Sequence, residues 1–370
     1  MTITVPLLKV AMPDTARAAA AQVLGSGFIA QWAKVAAFEA ALAGFFGNPN
    51  VAAVSDPSGA LALALRMAGV GQGDEVIVSP MACTATTMPI AAIGARPAWC
   101  DVDSASGMPG AEQIECRVGP RTRAILVYHW SGEVADLGSI RAMAARHGIA
   151  VIEDASEAFG AEHAGMRLGH SGSFATIYSF QAVRHLSTGE GGAMVFTDPA
   201  QCQRARRLRK FGIDGGSFRT GDGEINMESD IPEPGLYLPM NEVAAAIGLA
   251  QMDEIEARLA RYRDNGAFLM ERLAGVPGLD LPPRRQGDRP GLWTFSLQAE
   301  GRDQLAAKLR GAGIGCQRLH IRNDRYSCFG TMADLPGAAR FESRTLSIPC
   351  GWWVGDEDRE RMAACIRAGW

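Results

Sequence analysis

The stretch Ser173–Gly192, SFATIYSFQAVRHLSTGEGG, reads as a short strand running into a glycine-rich turn. Ser173–Phe180 carries the β-branched and aromatic residues that suit a pleated, half-buried surface. The strand delivers Ser179 to its end, and the turn behind it presents Arg184 and His185. Gly189, Gly191 and Gly192 permit close approach of backbone to whatever sits there. Singly these are ordinary loop residues; together they mark a site.

Similar runs surround this one. Glu75–Ser79, Arg96–Val102, Arg123–Trp130, Ile149–Asp154 and Ala193–Thr197 are short and strand-like, and helical periods fill Leu61–Gly69, Thr84–Ile93, Ser139–His147 and Gln201–Phe211. This alternation predicts an α/β fold, a mostly parallel sheet with helices on both faces. Residues 213–235 are rich in Gly, Pro and acids, without a period, and are expected as a long loop. Asn241–Asn265 predicts one long helix. A smaller α/β unit follows: strand Leu292–Gln298, helix Arg302–Gly311, strand Gly315–His320 and closing helix Asp356–Ala368. The expected division is a large domain with an N-terminal arm over residues 1–255 and a small C-terminal domain over 256–370.

Composition narrows the function. A chain of 370 residues with net charge −4 and no basic tract is not expected to bind nucleic acid, and no apolar run reaches the length of a membrane span. Met1–Pro13 lacks the pattern of a signal peptide. Eight scattered Cys, without a C-x-x-C pair, read as reduced thiols of a cytoplasmic protein, and no metal site is expected. Of 36 basic residues only four are Lys: Lys9, Lys34, Lys210 and Lys308. Arginine neither deprotonates at neutral pH nor forms a Schiff base, so lysine chemistry has four candidates.

Five segments carry chemistry. In Ser55–Leu65 a turn opens an amphipathic helix whose N–H groups and hydroxyl could seat a phosphate; an ordinary N-cap by Ser58 is the alternative. In Val151–Phe159 an apolar strand ends in carboxylates, among them Asp154 and Glu157, at the edge where α/β sheets bind ligands. A buried Asp154 needs a cationic partner, either a protonated ring nitrogen or one of the many Arg. Ser173–Gly192 is the third. The fourth is Glu233–Asn241, and the fifth joins His320–Tyr326 with Ser347–Trp353 as a possible anion or sugar surface.

In order and spacing these segments resemble the DegT/DnrJ/EryC1/StrS sugar aminotransferases, a fold type I family dependent on pyridoxal phosphate (PLP). GVGQGDEVIVSP, CTATTMPI, the Ser173–Gly192 stretch and IPCGWW carry the resemblance, which runs from about residue 20 to the C-terminus. It implies a mostly parallel sheet of seven-stranded type, a nucleotide-linked keto sugar as substrate, and a homodimer with shared sites. By matching position, Asp154 would pair with the pyridine nitrogen, Glu157 would lie near the ring, and Ser179 would bind the phosphate. Ser58 and Gly59 would start the phosphate-binding helix, although Asp56-Pro57-Ser58 replaces the usual Gly-Thr. Tyr237 and Asn241 would reach the cofactor phosphate of the neighbouring subunit. His320, Arg322 and Tyr326 match a substrate-side motif.

One position departs. Where the family places the lysine that bonds PLP covalently, this chain has Arg184, with Val183 and His185 beside it. Arg184 and His185 are therefore the candidate catalytic residues, His185 as proton carrier or as a structural histidine. Three alternatives stand: an engineered lysine replacement in an aminotransferase, a natural homologue using PLP or its amine form (PMP) non-covalently, for example in a dehydration, or a chain that has lost the cofactor. The last would be a PLP-independent sugar-modifying enzyme or a non-catalytic homologue.

Overall fold

The computed structural model describes residues 2–370. Its strands, in chain order, are β1 Val51–Val54, β2 Glu75–Val78, β3 Arg96–Trp99, β4 Thr122–Tyr128, β5 Ala150–Asp154, β6 Glu162–His163 and β7 Met166–Arg167. There follow β8 Ala175–Ser179, β9 Gly192–Phe196, β10 Leu279–Asp280, β11 Phe295–Ala299 and β12 Thr345–Ile348. Seven form one sheet in the order β1-β9-β8-β5-β4-β2-β3. Pairs β3-β2, β2-β4, β4-β5 and β5-β8 are parallel, and β9 runs antiparallel to both β8 and β1. The expected mostly parallel α/β sheet is therefore present.

Register decides what the sheet can do. Tyr128 pairs with Asp154, and Asp154 pairs with Ile177, two residues before the end of β8 at Ser179. Three adjacent parallel strands thus release Tyr128, Asp154 and Ser179 at one carboxyl-terminal edge, where open α/β sheets form their crevice.

Two buried apolar clusters fill the chain. One lies around the large sheet and includes Phe38, Phe46, Phe159, Tyr178 and Phe180; the other gathers Tyr262, Leu269, Phe295, Leu305, Ile348 and Ile366, with Val5 from the N-terminal segment. In the first, Phe159 stacks on Phe45 at 4.6 Å between ring centroids and meets Phe46 and Tyr178 edge-on.

Several elements differ from expectation. Asn241–Asn265 is not one helix: Asn241 caps Glu242–Leu249, a 3-10 turn covers Met252–Glu254, and a new helix spans Ile255–Leu273. At the break the amide of buried Gln251 donates to the carbonyls of Ser187 and Ile247, tying the turn to the site loop. Gly315–His320 is not a strand. Gly315 N–H instead donates to Val5 O at 2.8 Å, a Cβ on Gly315 would lie 2.6 Å from Leu7 N, and only Gln317 bridges to Ser347. β11 pairs with β10 on one side and on the other with β12, a Thr-Leu-Ser-Ile run too short to stand out by alternation. The helices Asp14–Ser26 and Ala33–Phe46 and the strand β1 also lay outside the expected elements. Residues 213–235 do form a loop without helix or strand.

Phe159→Ala removes a buried ring from the larger cluster and is expected to lower the unfolding free energy by about 3–5 kcal/mol, read from denaturant melts. A loss below about 1 kcal/mol would show that the cluster collapses around the gap.

Candidate active site

At the end of β5 the chain turns through Ala155, Ser156 and Glu157. Asp154 is 3% exposed. Its Oδ2 accepts from the Thr86 hydroxyl at 2.6 Å and its Oδ1 from Ser156 N–H at 3.0 Å. Among the described residues no Lys or Arg forms an ion pair with it. The alternative of a structural Arg partner is therefore absent, and a buried carboxylate is left facing a pocket. That pocket holds about 150 Å3 and is lined by Asp56, Pro57, Ser58, Cys83, Thr86, Asp154, Ser156, Ser179, Gln181, Arg184 and Glu190, among others. A more open groove of about 650 Å3, beside Phe45, Met166 and His170, contains none of these groups.

Glu157 joins the elements around the pocket. Its Oε2 accepts from Ser131 N–H at 2.8 Å; its Oε1 accepts from His320 Nε2 at 2.9 Å and Arg184 Nη1 at 3.3 Å. Burial alone would raise its pKa. The hydrogen bond and charge of His320, with the charge of Arg184, outweigh this and hold the carboxyl at about 2. Ser131 has φ +57° and Gly132 φ +91° in the turn after β4. Only glycine suits the second position, because a Cβ there would lie 2.3 Å from Leu292 N and 2.6 Å from Glu157 O.

Arg184 occupies the turn after β8 and is 8% exposed. Its guanidinium lies 4.2 Å from the centre of the Trp293 ring, whose indole N–H donates to Val183 O at 2.9 Å. Burial pulls its pKa down, and the nearby Glu157 charge more than restores it, so the cation is permanent. Arg184 Nε is buried without a partner.

The other expected site residues separate into two groups. Ser179 and Ser58 line the pocket with Asp154 and Arg184. His320 joins them through Glu157 and stacks parallel to Trp293, with 6.2 Å between centroids. His185 does not reach the pocket. Its ring is fully buried beside Tyr262 and Phe159, Nε2 meets Gly291 O at 3.1 Å, and burial lowers its pKa to about 3. Arg322 is equally enclosed: its guanidinium pairs with Asp324 at 2.6 Å and donates to Ala333 O. Tyr326 and Arg322 are absent from the pocket lining. Tyr237 is 63% exposed and stacks on Phe211, and the Asn241 side chain caps its own helix at Ala244 N–H.

The helix start differs from expectation in a way that matters. The cap is Asp56, not Ser58. The Asp56 carboxylate accepts from Ser58 N–H at 3.2 Å and Gly59 N–H at 2.6 Å, while Pro57 has no N–H to offer. Thr86, Trp293 and Tyr128 are site residues not singled out from the sequence, and Asp56 is noted there only as a departure, not as the cap. Thr86 lay within the quoted CTATTMPI run, but nothing local marks Trp293, which arrives from the second apolar cluster's side of the chain.

A mostly parallel sheet whose carboxyl edge presents a buried Asp154 without a cation places the site where open α/β sheets bind their ligands. The DegT/DnrJ/EryC1/StrS aminotransferase family model matches residues 11–367, and the chain belongs to that family. The erythromycin biosynthesis sensory transduction protein EryC1 of Saccharopolyspora erythraea is 33% identical over 355 residues, 94% of this chain and 93% of the relative. Two solved structures align at TM-score 0.94: AtS13 from Actinomadura melliaura, 36% identical over 100% of both chains, and the sugar aminotransferase CalS13 from Micromonospora echinospora. CalS13 is 35% identical over 99% of this chain and 100% of its own. Membership supports PLP as the cofactor of the class. The residues here fit that group at the ring, where Asp154 lacks a cation. They do not fit it at the phosphate, where the helix N–H groups are already bonded.

Glu157→Gln keeps the shape but strips the counter-charge from buried Arg184, an expected loss of about 3 kcal/mol at neutral pH. Because the folded carboxyl lies below its ordinary value of 4.5, that difference is full above 4.5 and fades as pH falls through about 2. Denaturant melts across this range check it; a pH-independent difference would assign the loss to packing.

Proposed function

We propose that this aminotransferase-family chain acts in sugar or natural-product biosynthesis on a nucleotide-linked keto sugar, holding a pyridoxal-type cofactor without a covalent bond. The observation that carries this is Arg184, a permanent cation paired with Glu157, at the position where the sequence resemblance implies the family's lysine. None of the four lysines lines the pocket; Lys9, for example, lies over Trp352. A bound cofactor would supply an electron-withdrawing ring, and Asp154 is the group that would hold its nitrogen protonated. The proton transfer performed by lysine in the family falls to His320 rather than His185. With Nε2–H donating to Glu157, Nδ1 is the atom of His320 left to give or take the proton. Arg184, Glu157 and Trp293 suit one another, which favours natural divergence over a single engineered change.

The same proposal includes a homodimer and a cytoplasmic setting. Phe28, Trp32, Phe211 and Tyr237 are large apolar side chains left exposed, and a second copy would cover them. No helix among the described residues is long and apolar enough to cross a membrane. A second alternative, loss of the cofactor, is favoured by the occupied helix start.

Titration with PLP followed by absorption spectroscopy tests the proposal. The expected result is a saturable change that desalting reverses, and its complete absence would leave only the cofactor-free alternative. Arg184→Lys is expected to make part of the bound PLP resistant to desalting, with the long-wavelength band of a lysine adduct.

A further inference from the structure

In the helix Pro57–Met67 every donor of the first turn is spent. Pro57 has none, Ser58 and Gly59 bond the Asp56 carboxylate, and Ala60 N–H bonds Asp56 O at 3.1 Å within the helix. A helix start favours anions because free N–H groups and a positive dipole end face them. Here a carboxylate of the chain already takes that place. The rest of the pocket does not compensate: Asp56, Asp154 and Glu190 line it against one cation, Arg184, whose charge Glu157 neutralises.

We infer that Asp56 sets the pocket's ligand specificity against phosphate, so that it takes an unphosphorylated pyridine-type or other phosphate-free ligand at least as well as the phosphorylated cofactor. This rests on the proposed non-covalent cofactor pocket and names what limits it. An incoming phosphate must displace the carboxylate from two N–H groups and then sit beside it, like charge against like. In exchange Ser179 and Ser58 offer hydroxyls and Gln181 a neutral amide, and Arg184, whose Nε has no partner, is already paired with Glu157. Asp154 at the ring end is unaffected, because its partners Thr86 and Ser156 belong to other elements.

Asp56→Asn tests this cleanly. Asparagine caps a helix about as well as aspartate, so the fold is expected to stand while the charge is lost. Asp56→Ala, which frees both N–H groups, is the second variant, and thermal melts check both. Affinities for pyridoxamine and pyridoxamine 5′-phosphate are measured by calorimetry on the full chain, with no turnover required. The unsubstituted chain is expected to bind the phosphorylated ligand no more tightly than pyridoxamine. Each variant is expected to bind it about tenfold more tightly, with pyridoxamine unchanged. A strong preference for the phosphorylated ligand in the unsubstituted chain, unaltered by either substitution, overturns the inference but leaves the cofactor pocket standing. Absence of binding by either ligand to all three proteins overturns both.

Discussion

The carboxylate of Glu157 receives Ser131 N–H from the turn after β4, Arg184 from the turn after β8, and His320 from the loop that follows Gly315. Glu157 itself belongs to the turn after β5. Four separate segments therefore meet on two oxygen atoms shielded from water, where an unpaired charge would be expensive. Each donor limits what its segment can do. Arg184 is held against Trp293 at the pocket wall; His320 is fixed in orientation; the Ser131-Gly132 turn is held closed over Leu292. Arg184, with Glu157, is one corner of an ion-paired frame.

That frame separates two ends of the pocket. At one end Asp154 remains a buried carboxylate without a cation, fixed by the Thr86 hydroxyl and the Ser156 N–H. At the other, Asp56 fills the anion seat made by its own helix. The same chemistry, carboxylate oxygen accepting backbone N–H, preserves the first function and competes with the second. The difference lies in what the geometry leaves free: Asp154 still faces the pocket without a cation, while the N–H groups beside Asp56 are used.

Much of this was legible from residues. The alternation of short apolar runs with helical periods gave the sheet, because parallel strands buried on both faces are continuous in hydrophobicity. Asp154, Ser179 and Arg184 could be placed together because each follows directly from a strand end. The scarcity of lysine, four residues in all, is visible by counting. What stayed hidden depends on distance along the chain. Trp293 and His320 reach Arg184 and Glu157 only through tertiary packing, and no local pattern distinguishes an exposed His185 from one sealed under Tyr262 and Phe159. The helix break at Gln251 likewise depends on a hydrogen bond to Ser187, and the failure of Gly315–His320 to form a strand depends on the N-terminal segment around Val5. Arg322 resembles a substrate cation in sequence, but Asp324, two residues on, takes its charge within the fold.

Intact-mass spectrometry after borohydride reduction in saturating PLP tests the central claim most directly, since reduction fixes any lysine adduct and a peptide map then places it. The account predicts an unmodified chain, with no pyridoxyl group on Ser173–Gly192 or on Lys9, Lys34, Lys210 or Lys308. A stoichiometric adduct on any one of these lysines would contradict it.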